Sequence, residues 1–357
     1  MRVVITGASG NVGTALLRRL SADESAHDLI GVCRRPPKDG KYAEMAEWAA
    51  VDLAGDAAVE ALRPLVRGAD AVVHLAWGFQ PSHAVDTLEA TGVDGTRRVL
   101  TATRAEGVPH LVHLSSLGVY SPGVDGRPVD ETWPTDGITT LAYSRHKVAA
   151  ERLLDEHERS DGAAPAIARL RAALVLQRRA GSALSRYGFP GYVPTAVVRH
   201  LPVVPVDRNL VFQAVHTNDL ADAIVRVLER QATGAFNLAA EPPLTRDRIA
   251  AVLGAPPLHV PRQVLRSVVA ATWHARVQPL DPGWLDLAFA VPVMDSGRAH
   301  RELDWVPQVD AKTALRQVVD GLADSASDDT AVLRHDSLAD RVRSLVRRGP
   351  LSERRLP

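Results

Sequence analysis

The chain has a single cysteine, Cys33, among 357 residues. A lone thiol excludes an internal disulfide framework and suits a reducing compartment, so a cytoplasmic protein is expected. Net charge is lacking too, because 42 basic and 42 acidic residues cancel. Without a basic excess nothing points to nucleic acid or an anionic membrane as partner. No apolar run reaches the roughly 18 residues of a membrane-spanning helix. The stretch AVVRHLPVVPV (196–206) is cut by Arg199, His200 and two prolines. The opening MRVVITG is too short for a secretory leader and runs straight into a turn. No Cys/His cluster has metal-ligand spacing, so no metal is expected. Lysine is the scarcest charge: Lys38, Lys41, Lys147 and Lys312 stand against 38 arginines. That scarcity draws attention to AYSRHKVAAERLL (142–154), where Lys147 follows Tyr143 by four residues, one helical turn.

Apolar β-branched runs alternate with helical patterns through the first half. RVVIT (2–6), LIGVC (29–33), WAAVDL (48–53), DAVVHLA (70–76), HLVHLSS (110–116) and PAIARLR (165–171) read as strands. Helical periodicity covers 11–21, 56–67, 84–106 and 142–158. The alternation predicts an α/β chain: a doubly wound, Rossmann-like parallel sheet with a smaller C-terminal substrate-binding lobe. The expected division is a nucleotide-binding domain over 1–175, to which 210–240 returns through a strand (210–215), a helix capped by Asn218 and a strand (235–240). The lobe takes 176–209 and 241–322. Residues 323–357 are expected to be a linker, beginning DSASDD, and a C-terminal helix and tail.

In ITGASGNVG, Gly7, Gly10 and Gly13 follow the first strand and open a helix. The first glycine permits a tight turn, the second lets backbone N–H groups approach a pyrophosphate, and the third lets helix and strand pack closely. Asn11 and Val12 lie within the same turn. An acid ending the second strand would bond a ribose 2′-hydroxyl; Arg34 and Arg35 stand there instead and suit a 2′-phosphate. The expected cofactor is therefore NADP, with NAD as the alternative. Asp52 and Leu53 at the end of the third strand, and Leu75 and Ala76 at the end of the fourth, are further candidate cofactor contacts.

TGASGNVG, VHLSSLGVY (112–120), YSRHK (143–147) and VHTNDLADA (215–223) together resemble the extended short-chain dehydrogenase/reductase family, in its NAD(P)-dependent epimerase/dehydratase-like branch. The resemblance covers about residues 1–320. It implies a Ser116, Tyr143, Lys147 proton relay, with Tyr143 and Lys147 also contacting the cofactor. A lysine ammonium beside the phenol is expected to lower its pKa. Ser115 rivals Ser116, but strand alternation sends the two to opposite faces. The family's frequent asparagine in NVxGT is replaced by Gly92. Leu117 and Gly118 stand where sugar dehydratases carry an acid pair, and Phe212 where nucleotide-sugar enzymes often carry arginine. Trp77, Phe79, Gln80, Arg171 and Tyr187 are candidate substrate contacts. The reading is an NADP(H)-dependent oxidoreductase of a secondary alcohol or ketone. A sugar or sugar-nucleotide epimerase is the alternative, and a non-catalytic dinucleotide sensor the alternative of another class. The partner is a small-molecule substrate, with a homodimer allowed.

Overall fold

The computed structural model describes residues 1–23, 26–78, 83–124, 126–160, 165–188 and 195–334, without the side chains of 186–188. Its strands are β1 (Arg2–Thr6), β2 (Asp28–Cys33), β3 (Glu47–Ala50), β4 (Ala71–His74), β5 (His110–Ser116), β6 (Ala166–Ala172), β7 (Leu174–Leu176), β8 (Val204–Val206), β9 (Val211–His216), β10 (Gly234–Leu238), β11 (Ala240–Thr245) and β12 (Pro257–His259). Its helices are α1 (Asn11–Ser21), α2 (Ala58–Val66), α3 (Val85–Glu89), α4 (Gly95–Ala105), α5 (Ala142–Glu158), α6 (Gly181–Gly188), α7 (Thr217–Arg230), α8 (Arg246–Leu253), α9 (Arg262–His274), α10 (Gly283–Ala290), α11 (Gly297–Leu303) and α12 (Ala311–Ala323). No described helix is long and apolar enough to cross a membrane.

Seven strands make one parallel sheet in the order β3-β2-β1-β4-β5-β6-β10. Side chains alternate between its two faces. Val3 and Ile5 pack with Leu16 and Leu17 of α1 and Leu220 and Ile224 of α7. Val4, Val72, Leu111 and Ile167 face the other way, against Leu62 of α2, Val99 of α4 and Leu154 of α5. Burial on both faces is what the continuous apolar runs require. The order in which successive strands are added reverses between β1 and β4, so a crevice opens at their carboxyl ends.

On the α4–α5 face the sheet turns polar near those ends. Register places Thr6, His74, His113 and Arg169 in one row, with Ser115 beside Arg171 in the next. His74 bonds Thr6 at 2.7 Å and Thr96 at 3.1 Å. Arg171 donates to Glu151 of α5 at 2.7 and 3.1 Å, and the Ser115 hydroxyl donates to the same carboxylate at 2.5 Å.

Four elements differ from the sequence reading. The 84–106 helix carries a π-helical turn, Ala90–Asp94, between α3 and α4. Of residues 210–240, β10 and α7 join the main domain, but β9 pairs with β7 and β11 in a separate three-stranded sheet. The expected 235–240 strand ends at Leu238, and the chain changes sheets at Ala239. The cap of α7 is His216, whose Nδ1 accepts from the Asn218 N–H at 3.2 Å, rather than Asn218 itself.

Arg171→Leu would leave the buried Glu151 carboxylate without its cation. Loss of one partner of such a pair costs about 3–5 kcal/mol. The denaturation midpoint of that variant is expected to fall with an unchanged slope; a loss within the range of ordinary surface substitutions would contradict the assignment.

Candidate active site

A cavity of about 500 Å³ runs along the carboxyl ends of the main-sheet strands. Gly7, Gly10, Asn11, Val12 and Gly13 line it at the first turn. Gly7 has φ +72°, and a Cβ there would sit 2.7 Å from the Ala76 nitrogen. A Cβ at Gly13 would meet the Gly7 and Ala8 carbonyl oxygens at 2.5 Å. The glycines thus let three stretches of backbone meet without side chains between them. α1 begins here with no side-chain cap and no acid in its first turn. A bare helix N-terminus behind a glycine cradle fits the diphosphate of a dinucleotide. Arg34, Arg35, Asp52, Leu53, Leu75, Ala76 and Trp77 also line the cavity. Asn11 is tied to the second lobe, its Oδ1 accepting from Gln177 Nε2 at 2.5 Å.

The three candidate relay residues lie where β5 meets α5. Ser116 Oγ accepts from the Gly118 N–H at 3.0 Å and is hydrogen-bonded with the Tyr143 phenol. Tyr143 packs edge-on to Trp77 (6.4 Å between centroids) and beside Trp284 of α10 (5.0 Å). Lys147, one turn along α5, donates to the Leu114 carbonyl at 2.8 Å, and its ammonium lies 3.4 Å above the Trp77 ring.

Burial sets the electrostatics. It pushes the Tyr143 phenol up to about 12, with the Ser116 bond pulling the other way. It also pulls Lys147 well below the ordinary lysine range, opposed by Glu151. The expectation that Lys147 lowers the phenol's pKa is therefore corrected for this geometry. The ammonium sits against indole and carbonyl, and desolvation governs both groups.

Ser116, Tyr143 and Lys147 thus come together, with every candidate cofactor residue on the same cavity wall. Arg171 does not join them. It is held in the polar layer by Glu151, Tyr120 Oη at 3.1 Å and the Glu131 carbonyl at 2.9 Å, so its expected substrate role is withdrawn. Phe79, Gln80 and the Tyr187 side chain lie outside the described residues. His216, bonded to Gln317 at 3.1 Å and to Asn218, is structural. Sequence reasoning missed Trp284, Leu287, Ala288 and Val291, which line the cavity from α10 and its end. The run GWLDLAFAV has no period to say which face is buried, and its only signal is continuous apolarity.

The model of the NAD dependent epimerase/dehydratase family matches residues 3–239. The chain belongs to that family. An uncharacterised protein of Mycobacterium tuberculosis is 28% identical over 318 residues, covering 88% of this chain but 29% of that protein. The chain thus spans under a third of the length of that relative. A 2-alkyl-3-oxoalkanoate reductase of Stenotrophomonas maltophilia is 29% identical over 164 residues, 42% of this chain and 46% of that one. Among solved structures, a UDP-glucose-4-epimerase from Stenotrophomonas maltophila, with bound NAD and formylated UDP-arabinopyranose, matches with TM-score 0.67 at 21% identity. That match covers 91% of this chain and 98% of the epimerase, and it speaks for the fold alone.

Beyond the family match, residues 324–334 fold back over the nucleotide turn rather than forming the expected linker. Thr330 Oγ1 donates to the Ser9 carbonyl at 2.8 Å, and Ala331, Val332 and Leu333 line the cavity. Asp328 anchors the segment. Its carboxylate takes Lys41 Nζ at 2.6 Å, the Tyr42 hydroxyl at 2.7 Å and Arg179 at 3.1 Å. An acidic run reads as solvated linker until three distant residues are known to converge on one of its members. Residues 335–357, where the C-terminal helix and tail are expected, lie outside the described residues.

Those partners hold the Asp328 carboxyl down at about 2, although burial opposes them. A depressed carboxyl contributes stability above its unfolded value near 3.9, which is lost as pH falls toward 2. The hydrogen-exchange protection of residues 326–333, relative to the unfolded chain at the same pH, is expected to fall over that interval and to be low already at neutral pH in Asp328→Asn. Equal protection in the two proteins would contradict the anchor.

Proposed function

We propose that the protein is an NADP(H)-dependent oxidoreductase that interconverts a secondary alcohol and a ketone. The observation that carries this reading is the Tyr143 phenol bonded to Ser116 on the wall of the cavity that the glycine turn also lines. When bound, a nicotinamide dinucleotide supplies the hydride chemistry. Tyr143 Oη carries the proton: as a phenol it donates to the oxygen of a ketone, and in reverse it accepts the hydroxyl proton. Ser116 Oγ orients the phenol and the reacting oxygen together. Lys147, one helical turn from Tyr143, would hold the ribose of that dinucleotide.

Two lining features support the choice of partner molecules. Arg34 and Arg35 border the cavity at the end of β2, the position that meets an adenosine ribose in such folds. At the opposite end Leu117, Tyr143, Phe212, Trp284, Leu287 and Val291 form an apolar wall. Among the described residues, Arg34, Arg35 and Lys147 are the only cationic side chains lining the cavity. Arg199 is engaged by Asp324 at 2.7 Å and Asp320 at 3.3 Å. A buried substrate diphosphate needs cationic partners, so an apolar carbonyl compound suits this end better than a nucleotide sugar. One observation favours the epimerase alternative: residues 324–334 lie across the nucleotide turn, a placement suited to a cofactor regenerated without leaving.

Tyr143→Phe is expected to lower turnover by about 10²–10⁴-fold while leaving cofactor affinity unchanged; near-normal turnover would overturn the mechanism. By calorimetry NADPH is expected to bind about ten- to a hundred-fold more tightly than NADH, as one charge-assisted bond implies. Loss of that margin in Arg34→Ala or Arg35→Ala identifies the arginine responsible. A dinucleotide absorbing as reduced nicotinamide and retained through purification would favour the epimerase.

A further inference from the structure

Lys147 is buried at 3% exposure, yet no described carboxylate bonds its ammonium. The acid one turn along α5, Glu151, is committed to Arg171 and Ser115. The ammonium instead has the Leu114 carbonyl at 2.8 Å and the face of Trp77 at 3.4 Å. A desolvated cation over an indole face is among the stronger cation–π contacts. Trp77 keeps this place because position 92 has no side chain. A Cβ on Gly92 would meet the six-membered ring of the indole at 3.0 Å. The family's frequent asparagine would fill the space that the indole takes. Trp77 also stands edge-on to Tyr143 and to His113, each at 6.4 Å between centroids, so one ring spans both members of the Tyr–Lys pair.

We infer that Trp77 is a positioning residue for Lys147, holding its ammonium through the indole face in space that Gly92 leaves open. The inference rests on the proposed function for its catalytic meaning, but the contact itself is testable without substrate or cofactor. The other charged and titratable groups facing Lys147 are Tyr143 and Glu151 on α5, His74 on β4, His113 on β5 and the Arg169 and Arg171 pair on β6. Glu89 of α3 lies 3.8 Å from His146. His74 and His113 are buried and held neutral, His74 down at about 3. None of these groups supplies a hydrogen-bonded anion to Lys147, which leaves the indole as its aromatic counterpart.

The lysine poverty of the chain makes the test direct. Lys38, Lys41 and Lys312 are exposed, so Lys147 stands apart among four signals when lysine is labelled with carbon-13 at Cε. In the full-length parent, without cofactor, the Lys147 signal is expected well upfield of the other three from the indole ring current. The signal is assigned by its loss in Lys147→Arg. Trp77→Leu is expected to abolish the upfield shift and lower the Lys147 titration midpoint by about one unit or more. Trp77→Phe is expected to restore most of both. Gly92→Asn, which crowds the ring, is expected to reproduce the Trp77→Leu signal. An unmoved or raised midpoint in Trp77→Leu, or an Lys147 signal in the parent at the exposed-lysine position, overturns the proposal. Weak NADPH binding or absent turnover with the lysine signals as expected would instead count against the proposed function alone.

Discussion

Lys147 carries an ammonium into the polar layer between α5 and the main sheet, where its nearest helical acid is already bound elsewhere. Desolvating a cation is costly unless dipoles or an aromatic face replace water. The rest of the site reads as the consequence. Leu114 turns its carbonyl toward the amine, Trp77 lies over it, and Gly92 stays bare so that the indole fits. Tyr143 then sits one turn back along the same helix, between two indoles and against Ser116.

Strand alternation on β5 separates structure from chemistry. His113 and Ser115 face the polar layer, where Ser115 and Arg171 share Glu151. Ser116 faces the other way and meets the phenol. A one-residue register slip would exchange the two serines and bring Ser115 rather than Ser116 against the phenol. The ion pair of Arg171 and Glu151, buried against β6, couples α5 to the sheet and so fixes the helix that presents both Tyr143 and Lys147.

At the far end of the cavity the constraint is backbone approach. Gly7, Gly13 and Ala76 bring the ends of β1 and β4 and the start of α1 within contact distance. The floor left behind is polar backbone rather than side chain. The 324–334 segment lies across this floor, held by Asp328 among Lys41, Tyr42 and Arg179. Those partners come from two separate stretches of chain, so the C-terminal segment, the β2–β3 connection and the residues after β7 are joined at one carboxylate.

The sequence by itself determined the alternation of strand and helix, because runs buried on both faces leave no other pattern. It also determined the glycine turn and the one-turn spacing of Tyr143 and Lys147, since both are local and follow from backbone sterics and helical pitch. Strand period set Ser115 and Ser116 on opposite faces, and the family resemblance pointed to Ser116. Tertiary structure alone decided where the charges go. Arg171 ends a strand as a pocket residue would, yet Glu151 draws it into the polar layer. Lys147 was expected to act on the phenol, but burial governs both groups and the indole takes the ammonium. The run DSASDD reads as linker, yet one of its acids meets a cage of cations from distant positions. The aperiodic α10 gave no sign of the face it presents to the cavity. Local sterics act over a few residues and can be read along the chain; desolvation and long-range pairing depend on neighbours that only the folded chain brings together.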